Sequence, residues 1–168
     1  MLRSNLSTAE WPAVPGPMTA DVYRQAVESD DLVAARVRVK QTDMLVSASV
    51  DLGERAETLV NRFRHQIEDY IVAHPNFAAS LAPLERDPAA PAVVGAMISA
   101  GATAGVGPMA AVAGAIAEFV GTELLPYSRD VIVENGGDIF IRSEVPREVL
   151  LLVENTEFEG LRIAVPPS

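Results

Sequence analysis

Cysteine is missing from the chain altogether. That excludes disulfides, thiolate metal centres, iron–sulfur clusters and a cysteine nucleophile, and it fits a reducing compartment. Lysine is nearly missing: Lys40 is the only one, and the formal net charge is −10. Such a surface repels phosphate backbones, so nucleic acid is not an expected partner, and it disfavours anionic membrane surfaces as well. Aromatics are 5% of residues, so small aliphatics must build most of the interior. The opening MLRSNLSTAEWPAVPGP has neither an apolar stretch nor a cleavage signature, and the expected location is cytoplasmic. No G-x-S-x-G, P-loop lysine or paired-histidine motif occurs, which withdraws support from hydrolase and NTPase readings. His65 and His74 have no partners at metal spacing and read as surface histidines, so no metal ligand is assigned.

Apolar residues at 49% and charged ones at 21% over 168 residues suit one soluble globular domain with a proper core. From Pro88 to Ala117 there is no charge, a length that could span a bilayer. The segment is alanine and glycine rather than Leu, Ile or Phe, and Gly105-Val106-Gly107-Pro108 breaks it. Two buried helices are the expectation, over residues 91–103 and from Pro108, at a first-turn position, to about Leu125.

Residues 1–18 read as a loosely ordered arm and 19–168 as a single domain. Ala35, Val37 and Val39 alternate with Arg36, Arg38 and Lys40, a strand with one wet face. Gln41-Thr42-Asp43 turns the chain into a second strand through Met44, Val46, Ala48 and Val50. Asp51 with Glu54 forms a capping-box pattern for a helix whose apolar face is Ala56, Leu59, Val60, Phe63, Ile67, Tyr70 and Ile71. His74-Pro75-Asn76 ends it. Phe77, Leu81 and Leu84 are expected to anchor the next loop. Strand candidates at 130–134, 138–142, 148–153 and 160–165 suggest an antiparallel meander. The fold class is α+β, an antiparallel sheet with helices packed on one face.

Three features could carry chemistry. Gly105-Val106-Gly107-Pro108-Met109-Ala110 fits G-x-G-x-x-A and opens a helix, where N–H groups can meet an anion. No strand precedes it, as a dinucleotide fingerprint requires, and a helix–helix corner needs the same small residues. Gly107, Gly114 and Gly121 recur every seven residues, a flat stripe that admits either close packing or a planar ligand. Glu134-Asn135-Gly136-Gly137-Asp138 reads as a type I′ hairpin turn, or as a backbone platform lipped by the acids Glu134 and Asp138.

GVGPMAAVAGAIAEFVG (105–121), VIVENGGDIF (131–140), VKQTDMLVSA (39–48) and HPNFAASLAPL (74–84) resemble a family of uncharacterised bacterial and archaeal proteins allied to the ApbE-type flavin transferases. Val133-Glu134-Asn135-Gly136-Gly137-Asp138 is similar to the transferases' Val-Glu-x-Gly-Gly-Asp/Glu motif, and Val112-Ala113-Gly114 aligns with a motif that carries lysine where Gly114 stands. Those enzymes use FAD and magnesium to attach FMN to a protein hydroxyl. The resemblance thus implies an ApbE-like domain, truncated at its C-terminus, that binds a flavin (FAD or FMN) or related nucleotide, with or without magnesium, more than it implies transfer chemistry. It places a phosphate on the N–H groups of Gly105, Gly107 and Met109. The ring or ribose would lie by Gly114, Glu134, Asn135, Gly136 and Gly137, with Asp138 as hydrogen-bonding or metal group. The alternative is a non-catalytic homo-oligomeric assembly module whose Ala/Gly helices bury against another copy, with no small ligand.

Overall fold

The computed structural model describes residues 31–151 and 161–168. The expected arm at 1–18 and the lead-in at 19–30 lie outside the described residues. Strands β1 (Val33–Val39) and β2 (Thr42–Ala48) form the first hairpin. Helix α1 (Gly53–Ala73), the short α2 (Asn76–Ala79) and α3 (Ala92–Ala104) follow. A 3-10 turn (Pro108–Ala111) then leads into α4 (Val112–Leu124). The chain returns as β3 (Val131–Asn135) and β4 (Asp138–Arg142). Four strands make one antiparallel sheet in the order β1-β2-β3-β4. The fold is α+β: α1 packs on β1 and β2, and α4 on β3 and β4.

The last two strands depart from the expected meander. Among the described residues β5 (Arg147–Leu151) and β6 (Leu161–Val165) pair only with each other, as a separate two-stranded ladder. Sequence spacing marks strands but does not say which sheet they join, because pairing is a long-range choice.

The first hairpin turns one residue earlier than expected. Val39 pairs with Thr42, so Lys40 and Gln41 alone make the turn. Lys40 takes a left-handed φ of 52°. Thr42 is a buried strand residue that accepts a hydrogen bond from Arg64 Nη1 at 2.8 Å. Along β2, Thr42, Met44, Val46 and Ala48 are buried, which fixes the register, since a one-residue slip would turn them all to the other face. Val50 lies beyond the strand and is exposed.

α1 buries Ala56, Leu59, Val60, Phe63 and Ile67, the stripe expected from its 3.6-residue period. Each of the larger side chains contributes roughly 1.5–3 kcal/mol by leaving water. The capping box does not form. Asp51 Oδ1 accepts instead from Gly53 N–H at 2.9 Å, two residues on, and Leu52 occupies the cap position without a side-chain bond. An Asx-type bond of this reach competes directly with the cap geometry. Past the helix, Tyr70 stacks on His74 and meets Phe77 edge-on, and Phe77 is fully buried. Leu81, expected as an anchor, is 92% exposed; its backbone rather than its side chain makes the useful contact described below.

A polar cluster closes the far end of the sheet. Asp130 Oδ1 accepts from the Ser143 hydroxyl, from Glu144 N–H and from Arg147 Nη2, while Arg147 also grips Asp31 through two hydrogen bonds. The Ser143 bond is the chief reason that the Asp130 carboxyl lies below its ordinary value of 3.8; Glu144 N–H and Arg147 add to it. A carboxylate so lowered stabilises the fold above its unfolded pKa, and that stability is lost as pH falls through the folded value. Thermal midpoints should therefore hold steady from neutrality to about pH 5 and fall below about pH 4. Asp130→Asn, which keeps the shape and the acceptor, should flatten that acid limb; an unchanged limb would clear Asp130 of the role.

Candidate functional site

Asn135-Gly136-Gly137-Asp138 is a two-residue hairpin. Asn135 pairs with Asp138, and Gly136 and Gly137 have φ of 62° and 96°. Two successive positive φ values define the type I′ turn that only small residues adopt cheaply. The acids and amide around it are put to different uses. Glu134, buried, folds its Oε1 back to accept from Gly137 N–H at 2.9 Å. Asn135, also buried, donates from Nδ2 to the carbonyl of Ala113 at 3.0 Å, which ties the turn to the start of α4. Asp138 is exposed, on the helix side of the sheet.

Opposite stands the glycine stripe. A Cβ built on Gly114 would be 3.5 Å from Asp138 Cγ, ordinary contact that leaves room for a side chain. One on Gly121 would overlap the Phe140 ring, 2.8 Å from its Cγ. Gly121 is thus a packing glycine that lets α4 lie flat on β4, whereas nothing in the packing demands a glycine at 114. Between α3, α4 and β4 lies a cleft of about 410 Å3. Ala96, Ala100, Ala111, Gly114 and Ala115 give it a nearly smooth wall, and Glu118, Asp138, Ile139 and Phe140 face them. The spacing of Glu118, one turn beyond Gly114 and the first charge after the uncharged run, is the signal that could have revealed it from sequence.

The GVGPMA loop sits elsewhere. Gly105 ends α3 in the left-handed region, φ 73°, and its N–H donates to Gly101 O. Val106 N–H also donates to Gly101 O, and Gly107 N–H to Leu81 O at 3.0 Å. Pro108 has no N–H. Gly107 is buried, and a Cβ there would overlap Ser80 O. The N–H groups expected to meet a phosphate at Gly105 and Gly107 are therefore bonded within the chain. Met109 packs against the core, and the α-helix proper begins at Val112. Gly105, Gly107 and Met109 do not border the cleft; Gly114 and Asp138 do, and the Glu134–Gly137 turn supports it from below. The corner at this loop bends the two apolar helical segments by 109°, and among the described residues no single helix is long and apolar enough to cross a membrane.

A second cavity of about 370 Å3 adjoins the cleft along α3, bordered by Arg86, Asp87, Pro88, Ala90, Ala92, Gly95, Ala96 and Ser99. Ala96 belongs to both. Asp87 is held from two sides, by Tyr70 Oη–H at 2.9 Å on Oδ2 and by Ala89 N–H at 2.9 Å on Oδ1. The Ala89 N–H, then the Tyr70 hydroxyl, keep its carboxyl below the ordinary value.

A family model described as AbpE bacteria matches residues 24–168. A UPF0280 protein of Methanococcus aeolicus is 43% identical over 90 residues, 53% of this chain and 36% of that protein. Another, from Methanocaldococcus jannaschii, is 37% identical over 127 residues, 74% of this chain and 51% of that protein. A third, from Methanocella arvoryzae, is 34% identical over 134 residues, 79% of this chain and 55% of that protein. The chain thus spans about half the length of the longer-matching curated relatives, 51% and 55% of those two.

Proposed function

The chain belongs to the uncharacterised family described as AbpE bacteria, and from that premise we propose that it binds a flavin or related nucleotide in the cleft between α3, α4 and β4. The observation that carries the reading is Gly114 beside Asp138: a helix position with no packing reason to be glycine, next to a carboxylate on the border of a smooth-walled cleft. A volume of about 410 Å3 falls within the roughly 300–1,000 Å3 of small-molecule sites. Alanine and glycine walls suit a flat ring, which gains dispersion contact over its whole face and needs few polar partners. Asp138 accepts hydrogen bonds from ring N–H or ribose hydroxyl groups. The family name and the Val133–Asp138 motif favour a flavin over other planar ligands.

Residues of the cleft also suit magnesium in part. Asp138 and Glu118 offer carboxylate oxygens, and this ion is commonly held by one or two carboxylates and keeps several waters in its shell. When bound, it would offset the charge of the two carboxylates. The protein's own share is to orient the ring on the Ala96–Ala115 walls and to exclude water from one face of it.

Asp138→Ala should weaken FAD binding about tenfold, the worth of one charge-assisted hydrogen bond, with the thermal midpoint unchanged because the residue is exposed. Isothermal titration of FAD measures it. Equal affinities in wild type and variant would remove Asp138 from the site.

A further inference from the structure

The cleft at Asp138 bears two acids and no base, so it is a poor place for phosphate. We infer that the second cavity, with Arg86 at its rim, is the subsite for the phosphate groups of the same ligand. This inference rests on the nucleotide-binding reading and extends it to a ligand class: a phosphate-bearing nucleotide laid past Ala96 of α3, ring in one cavity and phosphates in the adjoining one.

Charge pairing singles out Arg86. Arg36 and Arg38 pair with Asp43, Lys40 and Arg64 with Glu68, and Arg62 with Glu123. Arg129 pairs with Glu144, Arg147 with Asp31 and Asp130, and Arg55 lies over the Tyr127 ring. Among the described side chains Arg86 and Arg142 keep no such partner, and Arg142 borders neither cavity. In a chain of net charge −10, a guanidinium left over beside a cavity is the one available counter-ion there. The adjacent Asp87 keeps its charge but turns its carboxylate oxygens to Tyr70 and Ala89, so it forms no ion pair with Arg86.

Room on the helix side supports the assignment. Gly95 lies inside α3, yet a Cβ there would meet nothing within 4 Å. Helical glycine is unfavourable without a reason, and packing supplies none here. An open wall beside Arg86 leaves space for phosphate oxygens. The shared residue Ala96, itself small, lets a ligand cross from one cavity to the other.

The test compares riboflavin, FAD and inorganic pyrophosphate by isothermal titration on the full chain and on Arg86→Gln, an exposed substitution. Wild type should bind FAD more tightly than riboflavin, and pyrophosphate should compete with FAD. Arg86→Gln should weaken FAD about tenfold and leave riboflavin within about twofold. Gly95→Leu, whose Cβ meets nothing within 4 Å and whose side chain enters the second cavity, should likewise weaken FAD and spare riboflavin. Equal FAD affinity in wild type and Arg86→Gln, or an equal fall for riboflavin, overturns the subsite. If neither flavin binds, the flavin reading itself fails and pyrophosphate alone decides: about tenfold weaker binding in Arg86→Gln sustains an anion site, while unchanged or absent binding overturns it.

Discussion

Gly107→Ala should cost about 3 kcal/mol of stability, the upper range for forcing a methyl group into a packed site. The buried Gly107 lies against the backbone of the Ser80–Leu81 segment, and an added Cβ would overlap Ser80 O and come within 2.7 Å of Ser80 C. Backbone cannot step aside as a side chain can. Moving it would also break the 3.0 Å bond from Gly107 N–H to Leu81 O and expose a buried donor. Two glycines of the neighbouring helix calibrate the result. Gly105→Ala should lose only about 1 kcal/mol, the cost of φ 73° for an alanine in open space. Gly95→Ala should gain about 0.5–1 kcal/mol, since helix propensity improves and nothing is struck. Urea denaturation of the three variants gives the order directly. If Gly107→Ala were as stable as wild type, the corner would not be built on this contact, and the loop could be reconsidered as an anion cradle.

Phe77→Ala should lose about 3–5 kcal/mol. Phe77 is 1% exposed and sits in the one-turn helix α2, which has no other buried residue. It meets the Tyr70 ring at 5.1 Å edge-on and so pins the segment from α1 to the Ser80–Leu81 backbone. That backbone in turn receives Gly107. Removing the ring opens a cavity and frees the platform against which the α3–α4 corner is fixed. The effect should combine non-additively with Gly107→Ala, because both act on one junction. A double variant whose loss equals the sum of the single losses would mean that the two contacts are independent.

Local pattern was readable wherever neighbours in sequence decide the structure. The alternation through Val46 and the α1 stripe through Phe63 each follow from one period, and each is buried as that period requires. Gly136-Gly137 made the type I′ turn legible because tolerance of positive φ is a property of the residues themselves. What could not be read depends on partners far away in the chain. Gly107 and Gly121 look alike in sequence to Gly114, yet Ser80 fills the space at one, Phe140 at another, and the third lies beside Asp138 at the border of a cleft. Asp51 missed its cap by one residue because its carboxylate reached Gly53 N–H first. Arg86 offered no local signal: its lack of an acid partner emerges only once the ion pairs of the other described arginines are known.

The most direct test of the account is a fluorescence titration of FAD with the wild-type chain and with Gly114→Leu. Leucine at 114 places its Cβ at ordinary contact distance from Asp138, 3.5 Å, and its remaining side chain is directed to the border of the cleft. The account predicts saturable binding by wild type and loss of at least about tenfold in affinity in the variant, with both unfolding at similar urea concentrations. Saturable FAD binding that Gly114→Leu leaves untouched, or none by the wild type, would contradict it.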